Sequence, residues 1–503
     1  MNRYVFIFIA LICGVNSFAQ IAYSDLGDKH QLRINSNGSV GINLETNEPA
    51  SFYQRDTNLP LLKQAGLWIV GKDVDGVYHT ATHYLSDNNG FDFWSGPVDT
   101  LTGQTGNASK WNKVWKVTQE EIETHRTNFK KTIYTTPASI ANWPAMGSEN
   151  FATYLAPFID ANIDGKYNPD KGDYPDINGI TATYCIFNDM QKEHSASYGP
   201  ELGIEVHMMA YQLTENSPIY LEYYILNRRP TDFTDVRVGF FVDGECGNRN
   251  DNYAGTFSSY PQSIFVYNSP TAEDEFIDGT PYVLATFLNE NLASTIAFND
   301  SSSVNGRPET NQHFINYAYS LWKDSSTLQQ GANGVNSGNK TEFIFSQNAN
   351  NPEMWTEEQQ PNNSGSRTII GFSEPVSLAK NEFTRIFICL DAGVSSFDNI
   401  ANYLEEKAAK NAQAYRSISS IPTTPKFAEF NLYPNPTSGV FHLESKTSIE
   451  SVQISNYQGV EIYRKDNFKK NTWTCNIPLL PGVYIVQLTT VAGVQTKKIC
   501  IRP

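Results

Sequence analysis

The sequence predicts a mainly β protein: a β-sandwich-rich ectodomain with few helices, followed by a small Ig-like β-sandwich at the C-terminal end. Of its 503 residues, 13% are aromatic and only 18% are charged, a composition that favours strands. Apolar and polar residues alternate with a period of two through much of the chain, and Gly, Pro and Asn interrupt this alternation at intervals typical of sandwich strands. The chain is too long for a single core, so several domains are expected.

Residues 1–19 have the features of a secretory signal peptide. Arg3 precedes an apolar run from Tyr4 to Val15, and small residues follow at Ser17 and Ala19. The run is too short to cross a membrane as a helix. We therefore expect export, and we expect no transmembrane span in the rest of the chain.

Residues 20–155 are predicted to form an N-terminal β-rich region. An Asn-Gly turn within Arg33–Gly41 and an Asp-Gly turn at the end of Gly66–Gly76 separate alternating runs. Such turns are the strongest short-range signals of β-hairpins. One helix is expected at Glu120–Phe129, where apolar residues recur at helical spacing.

Residues 156–420 are predicted to combine an acidic loop, a β-sandwich and one helix. Period-two runs extend from Ile180 to Asn289, whereas Asn291–Thr341 is polar and predicts long surface loops. The helix is expected at 398–416. Residues 421–426, which include two prolines, form a predicted linker to a last domain at 427–503.

The net charge of −16 is unevenly distributed. From residue 425 onward there are 9 Lys and Arg against 5 Asp and Glu, so the acidic excess lies in residues 20–420, which we call the cargo. An acidic cargo repels phosphate backbones, and we expect no nucleic-acid partner. Its dense Asp and Asn content suits divalent cations. The cysteines are too widely spaced to predict a disulfide framework, although Cys475 and Cys500 could pair or remain thiols.

The loop Asp160–Pro175 begins in the same way as an EF-hand-type calcium loop. Asp160, Asn162 and Asp164 occupy alternate positions, and Gly165 follows at the position of the sharp turn. Alternate oxygen-bearing side chains can converge on one hard cation. The sequence therefore predicts a structural calcium site in this loop.

The second half of the loop departs from the EF-hand pattern. Lys166 would supply its backbone carbonyl, but Lys171 stands where a bidentate Glu is expected. Asp173, or as the less favoured candidate Asp170, must then complete the calcium shell. The alternative interpretation is an ordinary Asx and Gly turn without a cation.

A second oxygen-rich loop runs from Asp243 to Gly255. Asp243, Glu245 and Asp251 are its candidate metal ligands. Their spacing matches no standard calcium loop, so a loop without a cation is favoured over a second metal site.

The usual sequence signatures of hydrolases, nucleotide-binding proteins and metalloproteases are missing from this sequence. Glu205 and His207 alternate along one strand, but a hydrogen-bonded structural histidine explains them better than a zinc site. Several tryptophans could stack on sugars or pack in the core. They are Trp68, Trp94, Trp111, Trp115 and Trp143.

The C-terminal residues alternate in short runs separated by glycine-containing turns every eight to twelve residues, which predicts an Ig-like sandwich. They also closely resemble the type A C-terminal sorting domain of the type IX secretion system over 427–503. The matching residues include Pro434, Asn435, Pro436, Gly482, Tyr484, Lys497 and Lys498. This resemblance implies recognition by the type IX secretion machinery, removal of the tail, and release or attachment at the outer-membrane surface.

The cargo more loosely resembles uncharacterised secreted proteins that carry such tails, through Gly66-Leu67-Trp68, Asp92-Phe93-Trp94, Trp143-Pro144 and the 160–175 loop. That family brings no established activity. We therefore expect a secreted or cell-surface protein with a calcium-stabilised binding or structural cargo, whose partner is a glycan or a surface protein. The alternative is a secreted polysaccharide-acting hydrolase with an unidentified carboxylate pair.

Overall fold

The computed structural model describes most of the chain after residue 20. The described ranges are 21–27, 30–53, 59–86, 90–148, 150–162, 164–259, 262–269, 279–347, 355–359, 365–397, 399–418, 430–435, 437, 439–456, 461–479, 482–490 and 493–501. The predicted signal peptide, the 421–426 linker and Pro436 lie outside them. The chain divides into two compact units, Met1–Gln413 and Ala414–Pro503.

The first unit is mainly β, which confirms the predicted fold class. Its strands are β1 (Tyr23–Leu26), β2 (Gln31–Asn35), β3 (Ile42–Asn43), β4 (Glu48–Pro49), β5 (Ser51–Phe52), β6 (Pro60–Asp73), β7 (Tyr78–Thr82), β8 (Trp94–Ser95), β9 (Trp115–Thr118), β10 (Phe158–Ile159), β11 (Tyr174–Pro175), β12 (Thr181–Asn188), β13 (Ile204–Gln212), β14 (Ile219–Asn227), β15 (Phe233–Gly244), β16 (Asn252–Phe257), β17 (Ser263–Asn268), β18 (Thr280–Phe287), β19 (Leu292–Phe298), β20 (Ser346–Gln347), β21 (Thr368–Ser373), β22 (Val376–Leu378) and β23 (Phe383–Ser395).

Two large sheets organise these strands. The first sheet runs β1-β2-β5-β6-β15-β21-β19, with β7 paired to β6 and β22 paired to β15. The second runs β20-β16-β17-β18-β23-β14-β13-β12-β8, with β9 paired to β12. Strands from both sides of residue 155 therefore pair within each sheet. The domain boundaries expected at residues 155 and 420 stay predictions.

One large hydrophobic core contains residues from both sheets. The rings of Phe240 in β15 and Tyr223 in β14 meet across it at 6.3 Å. Successive side chains along β15 point to opposite faces of the first sheet. Phe241 therefore points to the other face from Phe240, and its ring contacts Tyr84 there. The core explains why β6 and β13 are almost continuously buried.

The helices include both predicted ones. They are α1 (Ala108–Trp111), α2 (Gln119–Asn128), α3 (Ala138–Ala141), α4 (Asn311–Ala318) and α5 (Ile400–Ile418). A capping box formed by Thr118 and Glu121 begins α2. Leu404 and Ala408 of α5 pack against aromatic residues of β16 to β18. None of the described helices is long and apolar enough to cross a membrane.

The α4 segment corrects the expectation that Asn291–Thr341 consists of loops. Thr310 caps α4 through its side chain, and Phe314 of α4 packs on Trp68 with ring centroids 4.6 Å apart. The strand β19 lies in the same segment. The sequence did not reveal α4 and β19, because the long polar loops that follow them dominate the composition of this segment.

The second unit is a small five-stranded sandwich with its own hydrophobic core. Two of its strands are longer than the short runs expected from the sequence, because β-bulges shift the register within a strand without ending it. The strands are β24 (Phe430–Tyr433), β25 (Phe441–Asn456), β26 (Glu461–Cys475), β27 (Gly482–Thr490) and β28 (Gly493–Ile501). Cys475 is a buried free thiol.

Candidate functional site: two oxygen-rich loops and the sorting motif

The acidic loop is the connection of a short hairpin. Its ends are closed by β10 and β11, in which Ile159 pairs with Tyr174. The carboxylate of Asp160 accepts hydrogen bonds from the backbone N–H of Asp164 at 3.2 Å and of Gly165 at 2.7 Å. Gly165 has a φ of +74°, a left-handed conformation that favours glycine. These bonds wrap the loop around the Asp160 carboxylate.

Asp164 is the centre of charge contacts in this loop. Its Oδ2 accepts hydrogen bonds from Asn162 Nδ2 and from Lys171 Nζ, each at 2.9 Å. Its Oδ1 accepts the backbone N–H of Lys166 at 3.0 Å. The hydrogen bond from Lys171 lowers the pKa of Asp164 to about 2. An ammonium group therefore already lies against the exposed carboxylates.

Asp173 has a different environment, because its side chain is buried. It accepts the backbone N–H of Ala161 at 2.8 Å and of Asn168 at 2.7 Å. It thereby joins the two sides of the loop. The calcium site stays a prediction: within the described ranges, no three His, Cys, Asp or Glu side chains are arranged to hold a metal ion.

The second loop gathers its acids around Arg249. The guanidinium lies 2.9 Å from Asp300 Oδ2, 3.5 Å from Glu245 Oε2 and 3.7 Å from Asp243 Oδ1. Burial raises the pKa of Asp243 and of Glu245, and the charge of Arg249 opposes that shift. Asp243 and Glu245 are thus brought together by an ion pair.

Asp251, the third candidate ligand, is held by backbone contacts near the start of β16. Its N–H donates to the carbonyl of Asn248, and its carbonyl accepts the N–H of Ser269 at 3.0 Å. Its Oδ1 atom is buried. It follows Arg249 in a single 3-10 turn. The metal roles of Asp243, Glu245 and Asp251 stay predictions.

A buried group that the sequence pattern did not reveal is centred on His194. Its Nδ1 lies 2.7 Å from the carbonyl of Thr80, and its Nε2 lies 2.8 Å from the carbonyl of Asp189. Because a carbonyl only accepts, both ring nitrogens must carry protons. The resulting imidazolium lies 3.9 Å from the carboxylate of Asp92 and 3.5 Å from that of Asp189.

Both carboxylates beside His194 also accept backbone N–H groups. The carboxylate of Asp92 accepts hydrogen bonds from the backbone N–H groups of Thr82 and Ala196. That of Asp189 accepts hydrogen bonds from the backbone N–H groups of Leu202 and Ile204. Thr80 and Thr82 belong to the first sheet and Asp189 follows β12 of the second. The group therefore fastens the two sheets together, which is a structural role.

Glu205 and His207 do share a face of β13, as alternation requires. His207 Nε2 lies 2.7 Å from Glu205 Oε1, and Arg228 donates to the same oxygen at 2.6 Å. His207 Nδ1 lies 2.6 Å from the carbonyl of Leu155. These contacts hold a buried ion network, in accordance with the structural interpretation of this histidine.

The tryptophans do not form one exposed platform. Trp68, Trp111 and Trp143 are buried, so their rings pack inside the protein. An exposed aromatic surface lies instead beside the acidic loop. Tyr154 is 41% exposed, and its ring centroid lies 6.1 Å from that of Phe158.

In the second unit, motif residues from both ends of the tail meet at β28. Asn435 Nδ2 donates to the carbonyl of Lys498 at 2.7 Å, and Gly482 pairs with Ile501 in the strand register. Tyr484 pairs with Ile499 one step further along, and its ring is buried. Lys497 Nζ lies 5.2 Å above the ring of Phe430. The sandwich thus brings distant motif segments onto one strand.

The comparisons with known proteins identify this second unit. Residues 431–502 match the family of secretion system C-terminal sorting domains. The protein is therefore a type IX secretion substrate that is delivered to the extracellular space or the outer-membrane surface. Its sorting domain implies interaction with the type IX secretion machinery. No curated protein sequence matches the chain.

Two solved structures have distant similarity to the chain. A polysaccharide lyase is 8% identical, with a TM-score of 0.20 and coverage of 59% of this chain and 34% of its own. PorZ, a surface component of the type IX secretion system of Porphyromonas gingivalis, is 8% identical, with a TM-score of 0.14 and coverage of 60% of this chain and 44% of its own. The chain thus spans less than half the length of either protein.

Proposed function

We propose that the cargo is a calcium-stabilised binding or structural module that acts outside the cell. The observation that carries this proposal is the arrangement of Asp160, Asn162 and Asp164 on one hairpin loop, with a lysine ammonium 2.9 Å from Asp164. A cation is already needed there to offset clustered carboxylates. Calcium, with its preference for oxygen ligands, meets the same need with more charge.

Calcium would replace the ammonium of Lys171 rather than add to it. The carboxylates of Asp160 and Asp164, the amide oxygen of Asn162 and the carbonyl of Lys166 would supply ligands, and Asp173 would hold the loop closed or complete the shell. Lys171 is therefore a competitor for the site. This competition makes the proposal testable by removing the lysine charge.

The first experiment compares thermal unfolding of the full chain in calcium and in EDTA. Calcium should raise the melting temperature of the wild type and of Lys171→Met, with the larger rise in the variant because no ammonium has to leave. Asp160→Ala and Asp164→Ala should each show a smaller rise than the wild type, because the calcium bound by this loop is lost. An unchanged melting temperature of the wild type on addition of EDTA would refute calcium stabilisation.

The aromatic surface beside the loop supports a glycan as the bound partner. An aromatic ring that is exposed on one side can stack on a sugar ring. Tyr154, which precedes β10, and Phe158, within β10, present such rings beside the acidic loop, and the hydroxyl of Tyr154 lies close to Gly165. The surface and the calcium loop would then act as one contact site.

Glycan-array binding tests this role. Tyr154→Ala should lose glycan binding with no change in melting temperature, since the side chain is 41% exposed. Phe383→Ala, which removes an aromatic side chain that is 56% exposed in β23, is the matched control and should bind normally. A hydrolysis screen on the same preparation tests the alternative, because turnover of any polysaccharide would replace the binding role with a hydrolase.

A further inference from the structure

The second oxygen-rich loop crosses from one sheet to the other. It leaves β15 of the first sheet at Gly244 and enters β16 of the second sheet at Asn252. Within the loop, Cys246 Sγ contacts the carbonyl of Leu61 in β6 at 3.4 Å and that of Val266 in β17 at 3.7 Å. The loop therefore spans one end of the space between the sheets.

Two asparagines face each other at this end of the second sheet. Asn252 is directly opposite Asn268 in the antiparallel register. The backbone N–H and C=O of Asn252 both bond to Gly365, on the side away from β17. Asn252 and Asn268 are thus a non-hydrogen-bonded pair, the kind in which opposite side chains lie closest.

The side chains of this pair point into the protein. By strand alternation they share a face with Ala254 and Val266, which belong to the core between the sheets. Asn252 is 0% exposed and Asn268 is 1% exposed. The two amides are therefore enclosed between the sheets, at the end that the loop spans.

The amide groups of the pair lack protein partners. Among the described residues, neither the oxygen nor the nitrogen of either side chain has a hydrogen-bond partner. A buried polar group left without a partner is destabilising, because it has lost its hydrogen bonds to water and gained none in return. Four such atoms side by side indicate that a polar species is bound between them.

We propose that this species is a calcium ion bound by the side-chain oxygens of Asn252 and Asn268, with the carboxylate of Asp251 as the charged ligand. Amide and carboxylate oxygens are ligands that calcium prefers, and its remaining positions hold water that can accept from the amide nitrogens. Asp251 directly precedes Asn252 and has a buried side-chain oxygen. Asp243 and Glu245 are excluded from this ligand set because Arg249 engages them.

The site is independent of the acidic loop, so its test uses the full chain with Asp160→Ala and Asp164→Ala already in place. Titration calorimetry should then show one remaining calcium per chain. Asn268→Leu should weaken that binding by about tenfold or more, because a ligand is lost. Asn316→Leu, a buried amide that donates to the Trp322 carbonyl, is the control and should keep the affinity.

Asn268→Asp keeps the test decisive if the leucine variant fails to fold. An added carboxylate should tighten calcium binding and lower the melting temperature in EDTA. If water fills the site, calcium binding is absent or unaffected by either substitution, and Asn268→Leu is at least as stable as the wild type in calcium and in EDTA. Either of these results would overturn the proposal.

Discussion

The buried imidazolium of His194 makes the sharpest stability prediction. In His194→Gln the positive charge is lost, and the carboxylates of Asp92 and Asp189 remain buried in the same place. Removing one partner of a buried ion pair costs about 3–5 kcal/mol. The variant should therefore lower the free energy of unfolding of the first unit by about that amount, with His313→Gln, at a half-buried histidine, as the control.

The pH dependence of this effect has a definite sign. Burial by itself would lower the pKa of His194, but the carboxylates of Asp189 and Asp92 outweigh burial and raise it. A histidine whose pKa is raised on folding contributes stability that is complete below the pKa of the unfolded state, about 6.5, and is lost as pH rises through the folded pKa. The wild type should therefore become less stable above about pH 6.5 through this residue.

The measurement is urea unfolding followed by tryptophan fluorescence at several pH values from 6 upward. His194→Gln has no proton to release at this position, and the buried carboxylates of Asp92 and Asp189, whose pKa values burial raises, then titrate without their cation, so its pH slope should differ from that of the wild type. Equal pH slopes for the wild type and the variant, or a cost below about 1 kcal/mol, would show that His194 is not a buried cation.

Two further predictions concern the other ion network and the sorting domain. Burial would raise the pKa of Glu205, but His207 and Arg228 lower it to about 2, so the stability that it contributes is lost as pH falls from about 4 toward 2. Glu205→Gln should lower the free energy of unfolding by about 3 kcal/mol at pH 7. In unfolding followed by circular dichroism, the variant should also lose less stability than the wild type as pH falls over that range. Deletion of 427–503 should leave the cargo in the periplasm, and cell fractionation with immunoblotting would contradict the sorting role if the shortened protein still reached the medium.

The acidic loop shows which structural features a local sequence pattern can predict. The alternate spacing of Asp160, Asn162 and Asp164 correctly placed three oxygen-bearing side chains on one turn, because such a turn depends on residues close in sequence. The contact of Lys171 with Asp164 could be anticipated only as a departure from the EF-hand pattern. That Asp173 is buried and bonded to backbone N–H groups is a property of the folded hairpin.

The contacts within the second loop and the histidine groups could not be predicted from such a local pattern. Asn268 is as polar as the loop residues around Asp251, yet its relevance depends on the register that sets it opposite Asn252. The sequence placed Asn252 in the oxygen-rich loop Asp243–Gly255, so it predicted no strand that would set this residue opposite Asn268. No spacing pattern connects Asp92, Asp189 and His194, since distant segments of both sheets bring them together.

The sequence by itself determined the mainly β class, the hairpin of β6 and β7 around the Asp-Gly turn, the helices α2 and α5, and the sorting tail. Each of these depends on local periodicity, turn chemistry or a contiguous motif. Only the tertiary structure decided which strands share a sheet, which tryptophans are core residues and which buried charges meet. Those outcomes depend on long-range pairing and on desolvation, because the energy of a buried carboxylate or amide is set by whatever the fold places against it.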